Sequence, residues 1–222
     1  MPRPLDGPRL PAKSGTARKL VVFLHGYGAD GNDLIDLGRS WAGLLPDAAF
    51  ASPHAPEPCG MGPMGRQWWA LTFRDPSERW RGCVQAAPDL DAFLDQELAR
   101  HALPPERLAL VGFSQGAMMA LHVGLRRKPA PAAIIGYSGH LVGPEHLAAE
   151  ATGRPPVLLV HGDRDEVIPV DALFEAMDGL GQAEIPCQWH LSAGLGHGID
   201  QEGLRHGGLF LAQSFGIRPP AR

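Results

Sequence analysis

The sequence predicts an α/β fold: a mostly parallel sheet with helices on both faces. Two observations lead there. Short β-type runs alternate with helical patterns along most of the 222 residues, the succession that layers helices over a parallel sheet. Several runs, such as Leu20-Val21-Val22-Phe23-Leu24 and Val157-Leu158-Leu159-Val160, are apolar without interruption, as strands buried on both faces are. The length suits one sizeable core, so residues 1–222 are read as a single domain.

Residues 1–18, rich in Pro, Gly and basic residues, read as an extended lead-in with room for one short strand. A strand over 20–24 and a helix over 32–44 follow, with Asp30 and Asp33 placed to cap the helix. The next strand spans 48–52. Residues 53–87 show no clear period. A long irregular connection in a compact domain is usually functional or disordered, and Trp68, Trp69, Phe73 and Trp80 argue against disorder. Within it, residues 60–65, with Met61 and Met64, read equally as a mobile lip or a plain surface loop. Then come a helix over 88–102, a strand over 107–111 and a helix over 115–127. That helix is apolar nearly all round between Ala117 and Leu125, which marks it as buried. Strands over 132–137, 157–161 and 187–191, and helices over 170–181 and 200–215, complete the chain.

Composition narrows the function. Hydrophobic residues at 44% and charged residues at 20% argue against disorder and coiled coil. The formal net charge is −4, and the short basic run Arg126-Arg127-Lys128 sits where a helix ends, a position that complements the helix dipole. A nucleic-acid partner needs a broader basic face and is not expected. Cys59, Cys83 and Cys187 are odd in number and lack C-x-x-C spacing, so neither a disulfide framework nor a zinc site is indicated and a reducing compartment fits. The N-terminus lacks the apolar core of a signal peptide. No run approaches the roughly 18 apolar residues that span a bilayer. A cytoplasmic protein without stable membrane insertion is expected. His54, His101, His122, His140, His146 and His206 show no metal-ligand spacing, and no metal is expected.

In an open parallel sheet, ligands bind beyond the carboxyl ends of the strands. After the 107–111 strand comes Gly112-Phe113-Ser114-Gln115-Gly116, a G-x-S-x-G pattern followed at once by a helix. Such a turn exposes a serine Oγ above the sheet, and its glycines remove side chains that would clash. Gly136-Tyr137-Ser138-Gly139-His140 also follows a strand but lacks the last glycine. A serine hydroxyl needs a base. After the 157–161 strand comes Gly162-Asp163-Arg164-Asp165-Glu166, and after the 187–191 strand comes Gly194-Leu195-Gly196-His197-Gly198. The order Ser, Asp, His, each in a loop after a strand, is that of one serine-hydrolase arrangement. His197 is preferred as base over His190, which falls inside a strand. Among Asp163, Asp165 and Glu166, local chemistry gives Asp165 only a small lead.

Together HGYGADGNDL, GFSQG, HGDRDEVIP and GLGHGI resemble the bacterial phospholipase/carboxylesterase family, relatives of the acyl-protein thioesterases. The likeness runs from Leu20 to Ile199. It implies an α/β-hydrolase fold, with Ser114 as nucleophile, Asp165 as the orienting acid and His197 as base. It also implies hydrolysis of acyl esters or thioesters. GRQWWALTFRD resembles the family's substrate-side segment, and Leu195-Gly196 stands where Met-Gly is expected. Trp68, Trp69 and Leu195 are therefore the expected substrate-binding residues. Adjacent residues on a strand face opposite ways, so at least one tryptophan is expected at an acyl pocket while the other is free to be core. Members often pair, so a homodimer is an expectation too.

Gly26-Tyr27-Gly28-Ala29-Asp30-Gly31 also fits the G-x-G-x-x-G dinucleotide pattern. That reading demands an acid at the end of the second strand to hold a ribose hydroxyl, and Ala51-Ser52-Pro53-His54 offers none. In the hydrolase reading the loop instead supplies an oxyanion-hole donor, the N–H of Tyr27. The second is the N–H of Gln115, which opens a helix. The expected activity is that of a serine carboxylesterase on short- to medium-chain acyl esters, without cofactor. The competitors are an acyl-protein thioesterase or lysophospholipase, and a non-catalytic binding module on the same fold.

Overall fold

The computed structural model describes residues 1–60, 65–72, 75 and 77–217. Met61, Met64 and Phe73, named above, lie outside the described residues. The strands are β1 (Arg9–Leu10), β2 (Lys19–Leu24), β3 (Ala48–Ala51), β4 (Glu57–Pro58), β5 (Arg66–Gln67), β6 (Leu108–Phe113), β7 (Ala133–Tyr137), β8 (Val157–Gly162) and β9 (Cys187–Ser192). Among the described residues, seven of them form one sheet in the order β1-β3-β2-β6-β7-β8-β9. Only β1 runs antiparallel to its neighbour, so the sheet is mostly parallel, as expected. β4 and β5 pair separately.

The helices are α1 (Asn32–Trp41), α2 (Glu78–Arg100), α3 (Gln115–Arg126), α4 (Leu147–Glu150), α5 (Asp171–Gln182) and α6 (Gln201–Ser214). They cover both faces because the strands alternate their apolar side chains between two cores. Leu20, Val22, Leu24, Leu108 and Leu110 pack with α2, α3 and α5 residues such as Leu90, Met119 and Leu173. Val21, Phe23, Ala109 and Val111 pack with Ile35 and Trp41 of α1 and Phe210 and Leu211 of α6. Every residue from Gln115 to Leu125 is buried, so α3 is the internal helix its composition predicts. Asp30 Oδ1 accepts the N–H of Asn32 at 2.7 Å, but the N-cap of α1 is Gly31, without a side-chain cap, and Asp33 lies in the first turn rather than capping it. At the end of α3, Arg126 pairs with Glu150, and Arg127 with Asp91 and Asp95.

One element departs from expectation. α2 begins at Glu78 rather than Pro88, and Pro88 sits inside it. A proline removes one intrahelical bond, here the one to the Val84 carbonyl. Both residues are exposed, with Val84 at 48%, so water can satisfy that carbonyl. The irregular stretch therefore ends near residue 77.

Candidate active site

The parallel register brings the carboxyl ends of β2, β6, β7 and β8 to one edge. Leu24 lies opposite Gly112, and Phe113 opposite Tyr137. At that edge Ser114 is held at φ 54°, ψ −118° between β6 and α3. The left-handed backbone of a non-glycine residue is strained and cannot persist without support. Support comes from the Ser114 N–H, which donates to the Tyr137 carbonyl at 2.9 Å. The turn also has to be narrow. A Cβ at Gly116 would lie 1.9 Å from the Leu24 oxygen, and one at Gly112 would lie 2.2 Å from the Gly116 oxygen. The pattern that singled out Ser114 is thus a steric requirement of this junction.

The loop after β2 lies against the turn, since a Cβ at Gly26 would touch the Ser114 Cβ at 3.3 Å. Gly28 has φ 84° and donates its N–H to the Arg66 carbonyl at 2.9 Å. The Tyr27 N–H has no protein acceptor among the described residues. The Gln115 N–H is the first of α3, where helical N–H groups have no partner of their own.

Sequence reasoning missed what anchors this loop. His25 is fully buried. The Ala55 N–H donates to its Nε2 at 2.9 Å, so the ring proton is on Nδ1, which donates to the Gly26 carbonyl at 2.8 Å. Burial pushes the His25 pKa down to about 4, so the ring stays neutral at pH 7. The Trp68 indole donates to the His25 carbonyl at 3.0 Å. The Gln115 side chain accepts the Trp68 N–H at 2.9 Å and donates to the Trp69 carbonyl at 2.8 Å. The adjacent histidine in His25-Gly26 was the available signal.

Trp68 and Trp69 lie deeper than a substrate-facing position suggests. Both are buried, at 1% and 4% exposure, within the core. The Trp69 ring lies against Gly82 of α2. They follow β5 in a bend rather than on a strand, so the alternation expected of neighbours does not apply. Trp68 backs the loop that carries Gly26–Gly28, and Trp69 packs against α2.

Asp165 and His197 meet where the loops after β8 and β9 come together. His197 Nδ1 donates to Asp165 Oδ2 at 2.7 Å. Asp165 Oδ1 accepts the N–H groups of Val167 and Ile168, both at 2.9 Å. Burial alone would raise the Asp165 pKa, but the donors Ile168, His197 and Val167 outweigh it and hold the carboxyl below its ordinary range. His161, buried at the end of β8, donates Nε2 to the Ile168 carbonyl at 2.8 Å and lies 3.5 Å from Asp165 Oδ2. The two loops approach closely: the Arg164 N–H donates to the Leu195 carbonyl at 2.9 Å. A Cβ at Gly162 would lie 2.2 Å from that oxygen. Asp163 instead accepts the Gly194 N–H at 2.6 Å, and Glu166 is exposed. The His197 ring lies 4.8 Å, centroid to centroid, from that of Phe113, the neighbour of Ser114. With Nδ1 donating to Asp165, Nε2 is the ring nitrogen left to accept a proton. His190 lies within β9, away from these loops.

A cavity of about 550 Å³ begins at His140, next to Gly139, where an added Cβ would lie 3.1 Å from the Ser114 oxygen. Trp80, Leu141 and Val142 give it apolar wall and Arg79 a cation. Burial, with Arg79 and His161 nearby, lowers the His140 pKa to about 4.

Comparison with known proteins gives a consistent picture. The phospholipase/carboxylesterase family description matches residues 5–214. Esterase YpfH of Escherichia coli (strain K12) is 28% identical over 190 residues, covering 85% of this chain and 80% of that protein. Acyl-protein thioesterase 1 of Schizosaccharomyces pombe is 30% identical over 161 residues, covering 67% and 69%. The crystal structure of esterase PE8 is similar at TM-score 0.91 and 48% identity, covering 95% of this chain and 99% of that one. Among the described residues, no helix is long and apolar enough to cross a membrane.

Proposed function

The chain belongs to the phospholipase/carboxylesterase family and has its α/β-hydrolase fold, and on that premise we propose that it is a serine carboxylesterase. Its substrates are short- to medium-chain acyl esters. The observation that carries this reading is the 2.7 Å bond from His197 to the buried Asp165, set beside a strained turn that presents Ser114.

His197 Nε2 takes the proton from Ser114 Oγ as the oxygen attacks the carbonyl carbon. The Tyr27 and Gln115 N–H groups hold the resulting oxyanion, each such donor being worth about 3 kcal/mol. Asp165 fixes the His197 tautomer and stabilises the imidazolium. His197 then protonates the leaving oxygen, and the ester bond breaks to leave an acyl-enzyme on Ser114. Water attacks this acyl group, giving its proton to His197. Collapse of the second intermediate returns the proton to Ser114 and frees the acid. Leu195 and the cavity beginning at His140 are the proposed substrate surface; at about 550 Å³ that cavity falls in the range of small-ligand sites.

The test is incubation with a fluorophosphonate, followed by mass mapping. One adduct per chain on Ser114 is expected; no adduct in folded protein refutes the reading and favours a binding module. The 30% identical acyl-protein thioesterase supports a second reading, cleavage of thioesters. Comparing kcat/KM for matched thioesters and oxyesters separates the two. A large preference for one thioester overturns the general-esterase assignment.

A further inference from the structure

We propose that His190, Glu202 and His206 bind a divalent transition-metal ion where β9 meets α6. Glu202 and His206 are four residues apart on α6, so they share one face of the helix. His190, on the edge strand β9, turns toward that face. The His190 and His206 rings are 4.4 Å apart, centroid to centroid. His206 Nε2 lies 4.0 Å from Glu202 Oε1. One ligand atom from each of the three residues falls within 4.8 Å of the other two.

The donor set suits such an ion. Two imidazoles and a carboxylate form a recurring three-ligand set for Zn²⁺, with a fourth position for water. Tetrahedral bonds of about 2.1 Å put ligand atoms roughly 3.4 Å apart. Small rotations of the side chains close that gap, and Glu202 is exposed and free to make them. A second observation points the same way. His190 Nε2 is buried and has no hydrogen-bond partner among the described residues, a state that is costly and uncommon. A metal ligated there, or a neighbouring atom it draws in, removes that deficit.

The site lies apart from the Ser114 edge yet bears on it. His190 precedes and Glu202 follows the segment that carries Leu195 and His197, so a bound ion fastens both ends of that segment. The proposal does not rest on the hydrolase reading, and its readout does not require turnover.

The experiment is calorimetric titration of Zn²⁺ into the untagged full chain, with His190→Gln, His206→Gln, His101→Gln and His197→Gln as variants. One Zn²⁺ per chain is expected. His190→Gln and His206→Gln should each weaken binding by at least the roughly 10–100-fold that even outer-shell partners contribute. His101→Gln and His197→Gln should leave affinity unchanged. Zn²⁺ should raise the melting temperature of the parent but not of His190→Gln or His206→Gln. Should either of these two fail to fold, Glu202→Gln carries the same expectation of weakened binding. The absence of saturable binding to the parent, equal binding by the site variants, or loss confined to His197→Gln would overturn the proposal.

Discussion

Replacing Asp165 by Asn tests the proposed site with little change of shape. Asp165 Oδ1 accepts from Val167 and Ile168, and Oδ2 accepts from His197. An asparagine keeps its carbonyl oxygen on the two backbone N–H groups, so the loop retains its bonds. Its amide NH₂ then faces His197 Nδ1 and can only donate. The imidazole must accept there and carry its proton on Nε2, the nitrogen that has to receive the Ser114 proton. Such a tautomer reversal lowers kcat by about 10⁴-fold in serine proteases, equal to about 5.4 kcal/mol at 1.36 kcal/mol per tenfold. A loss of that order is expected here. The assay is p-nitrophenyl butyrate hydrolysis, with the circular dichroism of each variant as the check on folding. Glu166→Gln, an exposed neighbour, should stay within about 2-fold, the ~0.5 kcal/mol typical of surface changes. A folded Asp165→Asn enzyme keeping more than a tenth of parental kcat refutes the reasoning.

Ser114→Gly should be more stable in chemical denaturation than Ser114→Ala by about 1 kcal/mol. The φ of 54° strains alanine but not glycine by ~1–3 kcal/mol, from which glycine's extra chain entropy of ~0.5–1 kcal/mol is subtracted. Equal stability would argue against strain at the turn. Gly116→Ala should cost about 3 kcal/mol, the upper overpacking range, because its Cβ would lie 1.9 Å from the Leu24 oxygen; a neutral effect on the denaturation midpoint counts against the packing described. The His25 pKa is lowered from 6.5 to about 4 in the folded protein. As pH falls, the unfolded chain takes up that proton first, so stability should drop between about pH 6.5 and 4 and then level. For His25 alone the drop reaches roughly 3 kcal/mol, and the buried His122 and His140 act in the same direction. A melting temperature unchanged from pH 7 to 5 contradicts this. Trp68→Phe should lower stability by about 1–3 kcal/mol by leaving the buried His25 carbonyl without its donor. Its acyl-length preference should match the parent's; a changed preference would return Trp68 to the substrate surface.

Much of the scaffold was legible because its signals are local. Uninterrupted apolar runs announce β2 and β8, and the glycines around Ser114 announce a junction that admits no side chains. Chain order placed an acid and a base in loops after strands, but local chemistry gave Asp165 only a small lead and the family resemblance carried its choice; its bond to His197 required both loops in three dimensions. What escaped detection depends on distant contacts. The role of His25 rests on Ala55, 30 residues away, and on Trp68, 43 away, and no local pattern records either. The helix is expected from Pro88, yet α2 starts at Glu78 and its exposed turn tolerates the proline. The His190 cluster escaped for a related reason. Glu202 and His206 have visible helical spacing, but their third member lies on a strand that only the packed sheet brings alongside.

The position of β9 at the end of the sheet has a kinetic consequence. Among the described residues it is hydrogen-bonded to β8 alone, whereas β6 and β2, which lead into Ser114 and the Gly26–Gly28 loop, each lie between two strands. Partial openings draw on such margins before a domain melts as a whole. Amide exchange at β9 should therefore outpace that at β6. Each such opening parts His197 from Asp165 while the framework around Ser114 persists, so the proposed hydrolase activity should be lost reversibly, at denaturant concentrations where the buried tryptophans still report a native core.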